Sequence, residues 1–287
     1  MTKVGPVKLA YDVYEPSSGA DSSLTPVIYM HGVSGSKENF RNIAQIIADK
    51  TKRKGYAYDA RNHGDSEQTD DYSFEMNSSD LFDFMDTIKT PKAILIGSSM
   101  GGMTAIKAAL KKPERIEMIF VEDMFVKKCP KEMLEMVIGF INLWLACVAT
   151  IPKELNEKEA VKHCVDILYS KLPADQQLIG DKEKMYNAGF VFKRGADGAF
   201  DVKFNKKAIL NALKNAEETM SEATGQYDGP AYFIYGSISP FCVGKEEEHI
   251  KKHFPNAELI PVEGAAHDVH LAFAEKFLEL VIQRLKR

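Results

Sequence analysis

Residues 93–102, AILIGSSMGG, are the stretch that most restricts what this chain can form. An apolar run leads directly into glycines and two adjacent serines, which are followed by the helical pattern MTAIKAALKK. A serine with glycines two residues before and two residues after it, between a strand and a helix, forms a sharp turn that has no room for side chains at the glycine positions. Only Ser99 meets this condition, because a turn centred on Ser98 would put isoleucine and methionine there. The sequence therefore predicts Ser99 as a nucleophile.

Strands alternate with helical patterns on both sides of this turn. Short apolar runs such as PVIYMHG, GYAYDA and IEMIFVE are separated by helices, and the pattern resumes with PAYFIYG and AELIPVEG. This alternation predicts a mostly parallel sheet flanked by helices, with functional groups where the carboxyl ends of strands meet loops. Residues 124–228 contain mostly helical patterns and one hairpin-like stretch, FVFKRGADGAFDVKF. We therefore predict a single α/β domain over residues 1–287 with an inserted helical lid at about 124–228.

A serine nucleophile needs a base, and hydrolases with this turn carry the acid and then the histidine after the serine in chain order. Of the seven histidines, His267 in VEGAAHDVH follows the last predicted strand, and His270 lies three residues further along in the next helix. His31 and His63 precede Ser99 and are out of order. The remaining three lie in the insertion or on a charged helix face. These positions favour His267 as the base.

The acid has two candidates. The usual place after the next-to-last strand carries YGSISPF, which contains Ser239 and no carboxylate. The strand after the nucleophile helix ends in FVEDMF, which offers Glu122 and Asp123. Alternation along a strand points neighbouring side chains in opposite directions, so only one of these can face the histidine. If Glu122 faces away, Glu122→Gln should leave activity nearly unchanged.

Two backbone N–H groups are candidates for an oxyanion hole. Met100 begins the helix after Ser99, where the positive end of the helix dipole favours a developing negative charge. Val33 follows a His-Gly pair in the loop YMHGVSGS, directly after an early strand. We expect the N–H groups of Val33 and Met100 to bind the oxyanion together.

Charge and cysteine usage exclude several classes of function. The net charge of −4 and the pI near 6.0 provide no basic field for nucleic acid. Four widely spaced cysteines, without a Cys-x-x-Cys pair or zinc-ligand spacing, predict reduced thiols and no metal site. The N-terminus has neither a signal core nor an arginine-rich amphipathic stretch. A cytoplasmic location is expected, with a mitochondrial one open if a transit peptide has been removed.

The longest apolar run, residues 133–151, is about as long as a membrane span. Glu135 and Asn142 interrupt it, and such polar residues are costly to insert into a bilayer. The run is therefore predicted to be a buried helix or a lid helix, with no integral membrane span.

The motifs resemble the α/β-hydrolase superfamily, most closely the branch of alpha/beta hydrolase domain-containing protein 11 and its bacterial esterase relatives. The resemblance rests on HGVSGSKENF, DARNHGDS, GSSMGG, KKPERIEMIFVED, DGAFDVKFN, GSISPF and GAAHDVH. It implies that Asp123 is the acid and that Ser239 supports it. The chain departs from this branch at Ser98, where the family usually has histidine, and at Asp268, where it usually has an aromatic residue.

Together these features predict a serine hydrolase that cleaves carboxylic esters through an acyl-enzyme, with Ser99, Asp123 and His267 as the triad and no cofactor. The expected partner is a small ester, with a lipophilic group in a pocket lined by Phe140, Leu143 and Trp144, although these three residues could equally belong to the core. A thioesterase or amidase with the same triad is an alternative, and so is a non-catalytic binding module. The oligomeric state stays open.

Overall fold

A central sheet organises the structure. The computed structural model describes residue 5 and residues 7–171, 182–186 and 190–286. Nine strands lie within these residues: β1 Tyr11–Tyr14, β2 Val27–Met30, β3 Gly55–Tyr58, β4 Ala93–Ser98, β5 Ile116–Glu122, β6 Phe192–Arg194, β7 Phe200–Val202, β8 Ala231–Gly236 and β9 Ala257–Val262. Seven of them form one sheet in the order β1-β3-β2-β4-β5-β8-β9.

The sheet is parallel except at one edge. Only β1 runs antiparallel to its neighbour β3, whereas the remaining strands of the sheet pair in parallel. Every residue of β2 and β4 is buried, as expected for strands that helices cover on both faces. The predicted mostly parallel sheet is therefore confirmed. Its parallel strands bring their carboxyl ends to one edge, where functional groups gather in folds of this kind.

Helices pack on both faces of this sheet. Within the described residues they are α1 Arg41–Thr51, α2 Met76–Thr87, α3 Met100–Lys111, α4 Lys131–Val148, α5 Glu157–Lys171, α6 Lys182–Met185, α7 Lys206–Lys214, α8 Ala216–Thr219, α9 Glu247–His253, α10 Val269–Ala272 and α11 Ala274–Leu285. Alternate residues of β4 serve the two faces, because successive side chains of a strand point in opposite directions. Ile94 and Ile96 pack with α1 and α11, whereas Ala93 and Leu95 belong to the core that contains α2 and α3.

The chain between β5 and β8, two neighbouring strands of the sheet, is mostly helical. It contains α4 to α8 and the antiparallel hairpin of β6 and β7, while residues 172–181 and 187–189 lie outside the described residues. After the hairpin the chain joins the main domain, since Gly64 N–H donates to Lys203 O at 2.5 Å and Asn205 N–H donates to Asn62 O at 2.8 Å. The insertion is therefore hydrogen-bonded to the loop that follows β3.

Two predicted helical segments differ in how they appear in the structure. His270 lies in a helix, as expected, but this helix, α10, ends before Phe273, whose φ of −130° is not helical and separates it from α11. α4 coincides with most of the apolar run at 133–151. Among the described residues, no helix combines the length and the apolar character needed to cross a membrane.

Candidate active site

Ser99 occupies a strained turn between β4 and α3. Its φ of 51° and ψ of −110° are unusual for a residue with a side chain. A Cβ atom on Gly97 would lie 2.2 Å from Gly101 O, and one on Gly101 would lie 2.0 Å from Met30 O. Both glycines are thus required by close backbone approach, as the sequence predicted. Ser99 N–H donates to Glu122 O at 2.9 Å, which fixes the turn against the end of β5.

Asp123 and His267 meet at the same edge of the sheet. The distance between His267 Nδ1 and Asp123 Oδ2 is 2.6 Å, across 144 residues of sequence. Asp123 is completely buried, whereas the His267 side chain is 28% exposed. This pairing leaves the second ring nitrogen of His267, Nε2, available for a proton from another group.

Two further groups bind this carboxylate, and a third fixes one of them. Gly236 N–H donates to Asp123 Oδ1 at 3.2 Å, and Ser239 Oγ donates to Asp123 Oδ2. Ser239 Oγ in turn accepts from Phe241 N–H at 3.2 Å. Because an ionised carboxylate only accepts hydrogen bonds, His267 must donate from Nδ1. Ser239, which the family resemblance pairs with Asp123, donates directly to this carboxylate.

The link between Ser99 and His267 is indirect in this structure. No hydrogen bond joins Ser99 Oγ to His267 Nε2 among the described residues. Ser99 reaches the pair through the backbone, since its N–H bonds to Glu122 O and Asp123 is the next residue. Such contacts are often longer without substrate and tighten in the complex.

The pKa of the His267 imidazole is raised above its ordinary value. Burial acts in the opposite direction, but the hydrogen bond to Asp123 and the negative charges of Asp268, Asp123 and Glu122 together outweigh it. The ring therefore binds a proton more readily than a free histidine does, which suits a group that must become an imidazolium during catalysis.

An aromatic ring that was not predicted from the sequence covers His267. Phe241 stacks on the imidazole with ring centroids 4.3 Å apart and planes 15° apart. Phe241 itself is buried and lies near Phe125, with their centroids 6.3 Å apart. The motif GSISPF contains this phenylalanine two residues after Ser239, and that spacing was the available signal.

The backbone N–H groups of Val33 and Met100 are unoccupied. Neither has a hydrogen-bond partner in the part of the chain that the structure describes. Val33 lies in the loop after β2, and Met100 follows Ser99 at the start of α3. Since β2 and β4 are adjacent strands, the two loops lie at the same edge of the sheet.

His31 orients the peptide group that carries the Val33 N–H. Ala60 N–H donates to His31 Nε2 at 3.0 Å, so that nitrogen carries no proton. His31 Nδ1 therefore donates to Gly32 O, 2.7 Å away. Burial lowers the pKa of His31, which favours this neutral form. Because a trans peptide directs its C=O and N–H to opposite sides, binding Gly32 O turns the Val33 N–H away from His31.

His63 contacts the same loop, with Nε2 2.8 Å from Val33 O and its ring centroid 5.0 Å from that of His31. Chain order excluded His31 and His63 as bases but did not show that both contact the loop after β2. The motifs HGVSGSKENF and DARNHGDS contain them, but no local pattern brings the two motifs together.

Glu122 faces away from His267 and binds His270 instead. Its Oε1 accepts from the backbone N–H of His270 at 2.8 Å, and His270 Nδ1 lies 2.7 Å from Oε2. Ser98 is buried at the end of β4, and Asp268 is exposed beside His267. The alternation predicted for the two carboxylates is present, and each carboxylate has a histidine of its own.

The three residues expected to line a substrate pocket have different environments. Trp144 is enclosed within the insertion and stacks on Phe190 with centroids 4.0 Å apart. Phe140 is 41% exposed, and Leu143 is partly buried. A cavity of about 510 Å³ lies at the base of the insertion, between α2, α3 and both ends of the insertion, and none of the three residues lines it.

Among the described residues, no group of side chains is arranged to bind a metal ion.

Comparison with known proteins agrees with this architecture. A family model for the alpha/beta hydrolase fold matches residues 25–142. The abhydrolase domain-containing protein C22H12.03 of Schizosaccharomyces pombe is 30% identical over 283 residues, which cover 98% of each chain. This chain belongs to the α/β-hydrolase fold family. The predicted fold class and family resemblance of this α/β hydrolase are thereby confirmed.

Two other relatives of this α/β hydrolase have names that describe an activity. The sn-1-specific diacylglycerol lipase ABHD11 of Mus musculus is 28% identical over 279 residues, with 96% of this chain and 84% of the mouse protein covered. The solved structure of a marine microorganism esterase superposes with a TM-score of 0.72 at 24% identity, and covers 96% of this chain and 99% of that one.

Proposed function

We propose that this protein is a serine hydrolase that cleaves carboxylic esters through an acyl-enzyme. The observation that carries the proposal is the hydrogen bond between His267 Nδ1 and the buried carboxylate of Asp123, 2.6 Å long, at the sheet edge where Ser99 lies. The relatives named as a lipase and an esterase support an ester substrate.

In this mechanism, Ser99 Oγ attacks the ester carbonyl carbon while His267 Nε2 takes the serine proton. The charge on the carbonyl oxygen is stabilised by the N–H groups of Val33 and Met100. When the tetrahedral intermediate collapses, the imidazolium gives the proton to the leaving alcohol, and the acyl group stays on Ser99. Water, deprotonated by His267, then releases the carboxylic acid. Asp123 keeps the ring in the tautomer that each step needs.

A lipophilic acyl or alcohol group is the proposed substrate class. Phe241 stacks on His267 and lies near Phe125, so the surroundings of His267 are apolar, which favours an apolar group there. The name of the mouse relative, a diacylglycerol lipase, points the same way. A thioester or an amide would use the same triad, so the preference among these carbonyl substrates needs direct measurement.

A pair of serine variants tests the proposal. Ser99→Ala should abolish both labelling by a fluorophosphonate probe and hydrolysis of p-nitrophenyl esters, because it removes the nucleophile. Ser98→Ala, at the adjacent buried position, is the matched control and should keep most of the activity. Parallel assays with a thioester and an anilide of the same acyl group define the preferred leaving group. Probe labelling that survives in Ser99→Ala would exclude Ser99 as the nucleophile.

A further inference from the structure

A second acid and imidazole pair lies next to Asp123 and His267. Glu122 immediately precedes Asp123, and His270 is three residues after His267. The side chains of Glu122 and His270 are 1% and 4% exposed, so the pair has no access to substrate. The proposed mechanism gives neither residue a part. Burying an acid and an imidazole carries a desolvation penalty, so the presence of this pair beside Asp123 and His267 calls for an explanation.

Glu122 fixes the backbone that follows His267. Its Oε1 accepts from the backbone N–H of His270 at 2.8 Å, and the same carboxylate contacts the His270 ring at 2.7 Å. Through these two contacts the end of β5 binds the first turn of α10. Because Asp123 binds the His267 ring, two consecutive residues of one strand end fix both the catalytic ring and the backbone three residues beyond it.

The other end of this loop is also attached to the sheet. Gly264 N–H donates to Ser237 Oγ at 2.9 Å, and Ile238 N–H donates to Ala265 O at 3.1 Å. Both partners follow β8. Residues 264–270, which we name the histidine loop, are therefore fixed near β8 at the start and by Glu122 at the end. Without the Glu122 contact, the end of the histidine loop would be held only by the hydrogen bond between the His267 ring and Asp123.

The environment of the His270 ring is consistent with a fixed position. The ring stacks on Phe40 with centroids 4.7 Å apart and planes 14° apart, and Phe277 lies 6.0 Å away. Its Nε2 is buried and has no hydrogen-bond partner among the described residues. Burial acts to lower the pKa of His270, but Glu122 outweighs this effect and raises it. Glu122 is thus the polar partner of this ring.

The Glu122 carboxylate also acts on His267 through its charge. The charged and titratable groups around His267 are Asp123 and Glu122 at the end of β5, Asp268 in the histidine loop, and His270 in α10. Each of the three carboxylates raises the pKa of His267. A change at Glu122 therefore has an electrostatic signature at His267 that a purely structural contact would lack.

We propose that Glu122 and His270 are positioning residues for the catalytic histidine, in that the buried Glu122 carboxylate fixes the end of the histidine loop and so sets where His267 meets Ser99. The proposal rests on the function proposed above. Strand alternation alone predicted that Glu122→Gln would leave activity nearly unchanged, and this proposal predicts the opposite. Although Glu122 faces away from His267, it fixes the backbone of the loop that carries His267.

The experiment compares Glu122→Gln with Glu117→Gln, a matched loss of charge at the other end of β5, where the carboxylate bonds to Thr25. Ester hydrolysis gives kcat and KM, and an NMR titration of the His267 ring gives its pKa. Glu122→Gln should lower kcat by roughly ten- to a hundredfold with KM nearly unchanged, since misplacing a reacting group by about 1 Å can cost about 10²-fold. It should also lower the pKa of His267. Glu117→Gln should match the wild type in both.

His270→Gln is the second variant, and it decides the question if Glu122→Gln does not fold. It removes the ring that binds the Glu122 carboxylate, so the end of the histidine loop is held less firmly and kcat should fall. Because the charge of Glu122 remains, the pKa of His267 should not be lowered. Wild-type kcat in either folded variant would overturn the proposal, and so would an unchanged His267 pKa in folded Glu122→Gln. If the wild type neither labels nor hydrolyses esters, the proposed function fails, whereas the NMR comparison still tests whether Glu122 acts on His267.

Discussion

Replacement of Asp123 by asparagine should remove most of the activity while it keeps the fold. Asp123 has a φ of 47°, in the left-handed region that asparagine tolerates better than most residues. Asparagine is also nearly the same size and shape as aspartate, so it fits the same buried site. The variant thus isolates the chemistry of the carboxylate from its packing.

The effect follows from the hydrogen bonds around the carboxylate. Gly236 N–H needs an acceptor at Oδ1, so the amide oxygen takes that place and the NH₂ group replaces Oδ2. That NH₂ group faces His267 Nδ1, which then has to accept and so loses its proton to Nε2. An Nε2 that already carries a proton cannot take one from Ser99. In a Ser-His-Asp hydrolase the same change lowered kcat by about 10⁴, or about 5.5 kcal/mol of transition-state stabilisation.

The assay measures kcat/KM on a p-nitrophenyl ester, with folding checked by circular dichroism. Asp228→Asn, an exposed aspartate shortly before β8, is the control for the loss of one negative charge. Some rate should remain from the oxyanion donors, so the informative quantity is the ratio between the two variants. A folded Asp123→Asn protein with the kcat/KM of the control would refute the reasoning and remove Asp123 from the triad.

Two further predictions concern pH and packing. Because His267 must be neutral to act as a base and its pKa is raised, kcat/KM should fall with decreasing pH through a midpoint above about 6.5. Asp268→Asn should move this midpoint to lower pH, whereas an unmoved midpoint would exclude Asp268 as a cause of the shift. Trp144→Ala should lower the free energy of unfolding by about 3–5 kcal/mol in chemical denaturation, since the ring is enclosed against Phe190. A loss below 1 kcal/mol would argue against a core role.

The register of the Ser99 turn was predictable because the glycine spacing that marks it lies within one short motif. The clashes that require Gly97 and Gly101 involve the turn itself and the adjacent strand β2, and the spacing of the glycines reports them directly. The alternation of strands and helices was likewise predictable, because apolar periodicity follows from which faces are buried. The opposite directions of Glu122 and Asp123 could also be predicted, because successive side chains of any strand point to opposite faces.

The partners of these side chains could not be predicted from the sequence alone. Alternation left open which carboxylate serves His267, and only the resemblance to a family favoured Asp123. In the structure the answer depends on a contact across 144 residues. The roles of His31, His63 and Phe241 also depend on loops brought together by neighbouring strands, and chain order carried no information about them.

By itself the sequence determined the class of fold, the position of the sharp turn at Ser99 and the strand ends where polar side chains meet. Only the tertiary structure decided that Asp123 binds His267, that Glu122 binds His270, and that Trp144 packs inside the insertion. The physical reason is the separation in sequence of the residues involved. The glycine spacing of the turn and the burial periodicity of strands and helices are patterns within short segments, even where the close contact is with another strand. A hydrogen bond between two distant side chains leaves no such pattern in either segment.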